Sequence, residues 1–154
     1  MAVHIPGKTR CPLCAQLALR EEPLANFPPI FGNQLDPAFA VNDAVVHRHC
    51  LAERPYGQRA LAKLESYQQH QGRPKVCKVC GLAITNPDDY FTLGPISDYP
   101  DEPLARFDWF QAHLHCLRDW DGTPGLVSAI EAVSRSAEWE GDVLERLLER
   151  IRRA

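Results

Sequence analysis

Apolar residues recur along this chain in more than one rhythm. Between about Gln58 and His70, Ala60, Leu61, Leu64 and Tyr67 fall at helical spacing. Gly72 and Pro74 then block continuation, so the pattern predicts one amphipathic helix. From Thr123-Pro124, an N-cap followed by a first-turn proline, the run Leu126, Val127, Ile130 and Val133 predicts a second. Near the C-terminus, Leu144, Leu147, Leu148 and Ile151 form an apolar stripe in a segment rich in Glu and Arg. Asp142 and Glu145 stand ahead of that stripe at capping-box spacing. The stripe is expected to pack back on the preceding unit, with dimerisation or partner binding as the sharper alternative. Elsewhere the apolar runs are short and broken. Phe27-Pro28-Pro29-Ile30-Phe31 and Tyr90-Phe91-Thr92-Leu93-Gly94-Pro95-Ile96 read as small strands or irregular hairpins between Pro, Gly and Asp.

The cysteines and histidines impose a larger period. They read Cys11-x-x-Cys14, His47-x-His49-Cys50, Cys77-x-x-Cys80 and His113-x-His115-Cys116, with 32 residues between knuckle and His in both halves. Adding 66 to each position of the first set gives the second, and Pro29/Pro95, Ile30/Ile96, Pro37/Pro103 and Leu51/Leu117 share the offset. This is an internal duplication. It divides the chain into a first unit at 1–76, a second at 77–136 and a C-terminal amphipathic helix at 137–154.

Such a pattern suits zinc. A closed structural site takes four Cys or His ligands in a tetrahedron. A Cys-x-x-Cys turn supplies two sulfurs on one side, and a His-x-x-Cys pair at i and i+3 on a helical turn supplies the rest. Residues at i and i+1 point about 100° apart on a helix and chelate one ion poorly. The expected ligands are therefore Cys11, Cys14, His47 and Cys50 for one Zn2+, and Cys77, Cys80, His113 and Cys116 for another. His49 and His115 are expected to support or pack beside the sites, and are the alternative ligands. A redox dithiol at Cys11-Pro12-Leu13-Cys14 would want a preceding strand and leaves four cysteines unexplained. A cross-braced pairing of the two knuckles conflicts with duplication of a self-sufficient unit. Lone His4 and His70 are expected to face solvent.

A Cys-x-x-Cys turn, a β-hairpin and a helix whose first turn carries the second ligand pair resemble the treble-clef zinc-finger plan. The likeness is to the LIM-like, HxxC-ended class and covers residues 11–72 and 77–136. It implies an α+β fold of two tandem zinc-stabilised units, with the C-terminal helix added.

Charge refines the functional reading. The formal net charge is −3, with 45% hydrophobic and 24% charged residues, as in an ordinary soluble globular protein. Residues 1–76 carry nine Lys/Arg against six Asp/Glu, residues 77–136 four against nine, and the tail four against five. The second unit also holds seven of thirteen aromatics. Its loop Ser97-Asp98-Tyr99-Pro100-Asp101-Glu102-Pro103 is an expected landing surface for a protein partner, through Tyr99, Asp101 and Glu102. The bland counterpart is a solvated loop over a core of Phe107, Trp109 and Phe110. Lys8, Arg10, Arg48, Arg54, Arg59, Lys63, Arg73 and Lys75 give the first unit a mildly basic character, which keeps DNA or RNA as the alternative partner. No His-Glu-x-x-His, His-x-Glu or Gly-x-Ser-x-Gly motif occurs, and four ligands per ion leave no open position for catalysis. A nuclease-like or redox enzyme is thus the minor alternative. No apolar run approaches 18 residues and the chain starts without an apolar h-region, so a cytoplasmic, non-membrane protein is expected, its oligomeric state open. The expected role is a non-catalytic adaptor, regulator or inhibitor-like binder.

Overall fold

The computed structural model describes residues 3–19, 21–97, 99 and 101–154. The chain divides into two units, Met1–Gln69 and His70–Ala154. In the first unit β1 (Leu24–Asn26) pairs antiparallel with β2 (Val45–His47), followed by α1 (Arg48–Ala52) and α2 (Gly57–His70). In the second, β3 (Tyr90–Thr92) pairs antiparallel with β4 (Gln111–His113), followed by α3 (Leu114–Arg118), α4 (Thr123–Ser134) and α5 (Val143–Arg153). The protein is therefore a mixed helix-and-strand fold, with two two-stranded sheets and five α-helices among the described residues.

The 66-residue offset carries through to the backbone. Strand register repeats at it, Leu24↔His47 against Tyr90↔His113. So do the single bridges Arg10↔Leu17 and Val76↔Ala83 ahead of the sheets. Irregular loops repeat too: Phe31 N–H donates to Asn42 Oδ1 at 3.0 Å, and Ser97 N–H to Asp108 Oδ1 at 2.9 Å. Asp43 (φ 49°) and Trp109 (φ 58°) take the same left-handed conformation. Loop geometry thus repeats where residue identity does not.

Each unit has its own apolar core. Phe27, Val41, Val46 and Leu51 are fully buried in the first, and Phe91, Leu104, Leu117, Leu126 and Ile130 in the second. Cross-strand volumes exchange between them: small Ala25 faces Val46, whereas large Phe91 faces small Ala112. The sheet faces therefore fill by different distributions of the same kind of volume. Leu144, Leu147, Leu148 and Ile151 are all buried in the core of the second unit, where α5 packs on α3 and α4.

Several local expectations are corrected. The Asp142–Glu145 capping box does not form: Asp142 takes helical angles, makes no side-chain cap, and its carboxylate pairs with Arg146 at 2.9 Å. Thr123 is the first residue of α4 rather than its cap, and its hydroxyl donates to Leu117 O. His4 is half-buried, with Nε2 2.8 Å from Ala18 O, and His70 is also half-buried.

Candidate metal centres

Each centre is assembled from three pieces of chain. The first is the Cys-x-x-Cys knuckle. Cys11 N–H donates to Gln16 O at 2.9 Å and Ala15 N–H to Cys11 O at 2.8 Å. Cys77 N–H donates to Leu82 O at 2.8 Å and Gly81 N–H to Cys77 O at 2.9 Å. Closing this turn demands a left-handed residue after the second cysteine, and Ala15 (φ 61°) and Gly81 (φ 75°) supply it. In the first unit, Arg10 and Arg54 brace the knuckle from outside, donating to Ala15 O at 2.9 Å and Leu13 O at 3.2 Å.

The second piece is the hairpin's return strand and the third the short helix after it. His47 and His113 end β2 and β4 in extended conformation and stand as N-caps of α1 and α3. They are therefore not on the helical turn that i, i+3 spacing suggested, though Cys50 and Cys116 are. The sharp passage from strand to helix turns each imidazole back toward its cysteine. His47 Nδ1 lies 3.4 Å from Cys14 Sγ and 3.7 Å from Cys50 Sγ. His113 Nδ1 lies 3.5 Å from Cys80 Sγ and 3.8 Å from Cys116 Sγ.

In both groups, Cys11/Cys14/His47/Cys50 and Cys77/Cys80/His113/Cys116, all four donor atoms lie within 4.8 Å of one another. A tetrahedral ion with metal–sulfur bonds of about 2.3 Å and metal–nitrogen bonds of about 2.0 Å sets sulfur and nitrogen about 3.5 Å apart. The four sulfur–nitrogen separations fit that edge. Either group could hold one metal ion.

Electrostatics separate the sulfurs within each group. Burial opposes ionisation of Cys11, but backbone N–H groups of His47, Leu13 and Cys14 outweigh it and lower its pKa. The same contest at Cys77, with donors from Cys80, His113 and Val79, brings it to about 6. Cys50 and Cys116 are pushed up to about 12, by burial first and then by hydrogen bonding and charge from the other two cysteines of each group. Three thiolates so close together repel, and a cation among them relieves that repulsion.

The remaining histidines lie beside the groups. His49 stacks on His47 with ring centroids 5.2 Å apart, and its Nε2 is 3.3 Å from Cys50 Sγ. His115 stacks on His113 at 5.0 Å, while Asp89 holds it from the other side. Asp89 accepts from His115 N–H at 3.2 Å, and its Oδ2 lies 2.8 Å from Nδ1. Burial raises the Asp89 carboxyl, yet these donors together hold it below its ordinary value.

The two centres differ in shelter. In the first, Cys11, His47 and Cys50 are buried and Cys14 half-buried. In the second, only Cys77 is buried, and Cys80 is exposed. Sequence spacing did not reveal Glu22, whose Oε2 is 2.9 Å from His47 Nε2. Its counterpart at the offset is the shorter, exposed Asp88, so the repeat gives no signal for it.

Of the expected partner-binding residues, Tyr99 is 47% exposed, Asp101 exposed and Glu102 half-buried. Glu102 N–H donates to Tyr99 O at 3.3 Å. Asp98 and Pro100 of the same loop lie outside the described residues. The basic set is partly internal: Lys63 is buried over the Phe31 ring, and Arg59 pairs with buried Asp36 at 2.7 Å. Lys8, Arg10, Arg48, Arg54, Arg73 and Lys75 remain exposed. No helix among the described residues is long and apolar enough to cross a membrane.

Comparison with protein-family models, curated proteins and solved structures finds no match to this chain.

Proposed function

We propose that the chain is a tandem zinc-finger protein of treble-clef type, in which two structural Zn2+ ions hold a non-catalytic protein-recognition module. The observation that carries this reading is the pair of complete Cys3His groups in one repeated backbone frame. Tetrahedral sulfur-and-nitrogen donor sets of this kind favour zinc. Four protein donors per ion leave no open coordination position, which supports a structural role over a catalytic one. Three-residue strands in two-stranded sheets contribute little stability alone. A metal joining knuckle, strand and helix supplies what such small cores lack.

Recognition is assigned to the second unit's acidic, aromatic loop. Tyr99 offers exposed aromatic surface beside Asp101, which suits a basic protein partner. The test is affinity purification of the full chain alongside the double variant Tyr99→Ala with Asp101→Lys, with retained zinc measured in both. Loss of a co-purifying protein with both zincs kept supports the loop. An unchanged set of partners removes it.

A nucleic-acid reading rests on a different observation. Arg10, Arg48 and Arg54 are exposed, with Arg10 and Arg54 held at the first knuckle by carbonyls of Ala15 and Leu13 and Arg48 held beside β1 by Leu24 O. Binding of DNA or RNA that weakens steeply with salt would support phosphate contacts there. No binding at low salt would dismiss them.

A further inference from the structure

We propose that Glu22 is a positioning residue for the first metal centre, fixing the tautomer and ring orientation of His47. The inference deepens the zinc reading and rests on it.

Two residues of the run leading into β1, Leu17 and Glu22, converge on the outer edge of the His47 ring. β1 runs beside β2 with Leu24 opposite His47, which carries the preceding Glu22 to the ring's outer edge. The carboxylate is itself anchored, because Glu22 Oε2 accepts from Leu19 N–H at 3.3 Å and Glu22 N–H donates to Leu19 O at 3.2 Å. The bridge Arg10↔Leu17 brings the Leu17 carbonyl to the same edge. As a result His47 Nε2 faces two acceptors, Glu22 Oε2 at 2.9 Å and Leu17 O at 3.2 Å.

An imidazole nitrogen facing two acceptors must carry the proton. Nε2–H then donates outward, and the Nδ1 lone pair is left facing Cys14 and Cys50. The ring is almost fully buried, 2% exposed, so it cannot rotate without breaking these contacts. A carboxylate 2.9 Å from Nε2 also makes Nδ1 a better donor to a metal. Glu22 thus acts through His47 and does not touch the ion. The second centre places Asp88 at this offset, exposed and one methylene shorter, with its N–H given to Asn86 Oδ1.

The test uses the full chain, loaded with zinc alone and labelled with 15N at histidine. Zinc is withdrawn by a competing chelator, while ring-nitrogen resonances of His47 and His113 report the two centres separately. In the wild-type chain His47 shows metal at Nδ1 and a proton at Nε2. Glu22→Ala lowers zinc affinity at the first centre by about 10- to 100-fold, moves the Nε2–H resonance, and leaves the second centre unchanged. Glu22→Gln keeps an acceptor without the charge, so it recovers part of that loss and guards against a variant that merely misfolds. Asp88→Ala is the control and changes neither affinity. Equal affinity at the first centre in wild type, Glu22→Ala and Glu22→Gln, with two zincs bound, overturns the role of Glu22 alone. A wild-type chain with no zinc-bound histidine overturns the zinc reading and the proposal together.

Discussion

His47 and Gly57 show how single side chains decide local structure here. Truncating His47 or His113 removes one of four donors, so His47→Ala and His113→Ala are each expected to bind one zinc fewer and to unfold at lower temperature. His49→Ala and His115→Ala should keep both ions. Metal analysis of the four purified variants checks this, and the reverse pattern would mean that the ligand histidines are misassigned. Gly57 makes a second case. A Cβ there would lie 2.0 Å from Leu51 O, a clash that no side-chain rotation relieves. At the same position of the second unit stands Thr123, whose hydroxyl donates to the corresponding carbonyl of Leu117. The first unit closes its α1–α2 corner by backbone approach, the second its α3–α4 corner by a side-chain hydrogen bond. Gly57→Ala is therefore expected to destabilise by about 3 kcal/mol or more in urea titration, well above the usual effect of a point substitution. The two Cys3His groups were readable in the sequence because their spacing repeats at one offset. Glu22 was not, because a supporting carboxylate on an irregular approach to a strand follows no spacing rule.

The elements divide in the same way. α2, α4 and the apolar stripe of α5 were readable from 3.6-residue periodicity, since each buries one face: Ala60 and Leu64, Leu126 and Ile130, and the four residues from Leu144 to Ile151. The five-residue helices α1 and α3 are too short to show a period, and only the His-x-x-Cys spacing pointed to a helical turn there. Helix starts depart from the sequence pattern where a side chain bonds elsewhere than to the helix's own free N–H groups: Asp142 to the Arg146 guanidinium, and Thr123 to the Leu117 carbonyl. Neither β1 nor β3 is long enough to alternate visibly, and each pairs with the strand that ends in His47 or His113. Burial of α5 carries a stability prediction. Leu144 is fully buried, so Leu144→Ala should cost about 2–5 kcal/mol, read from the urea midpoint of the zinc-loaded chain. A cost within about 0.5 kcal/mol, the range of a surface substitution, would mean that α5 does not pack in solution as described.

The 66-residue repeat governs the chain as a whole. It was fully readable from eight ligand positions, and the structure extends it into strand register, loop hydrogen bonds and left-handed residues. What it hides is difference: the first centre has three of its four residues buried and contacts from Arg10, Arg54 and Glu22, whereas the second has one buried and exposes Cys80. Graded chelation should accordingly pass through a one-zinc form with the first centre loaded. Alkylation and peptide mapping of that form should modify Cys80 well ahead of Cys14 and Cys50. Simultaneous loss of both ions would contradict this ordering. The account stands most directly on metal content. Native mass spectrometry of the chain purified without added metal or chelator is predicted to show two zinc ions per chain and no disulfides. A chain carrying no metal, with its cysteines joined in disulfides, would contradict the account at its centre.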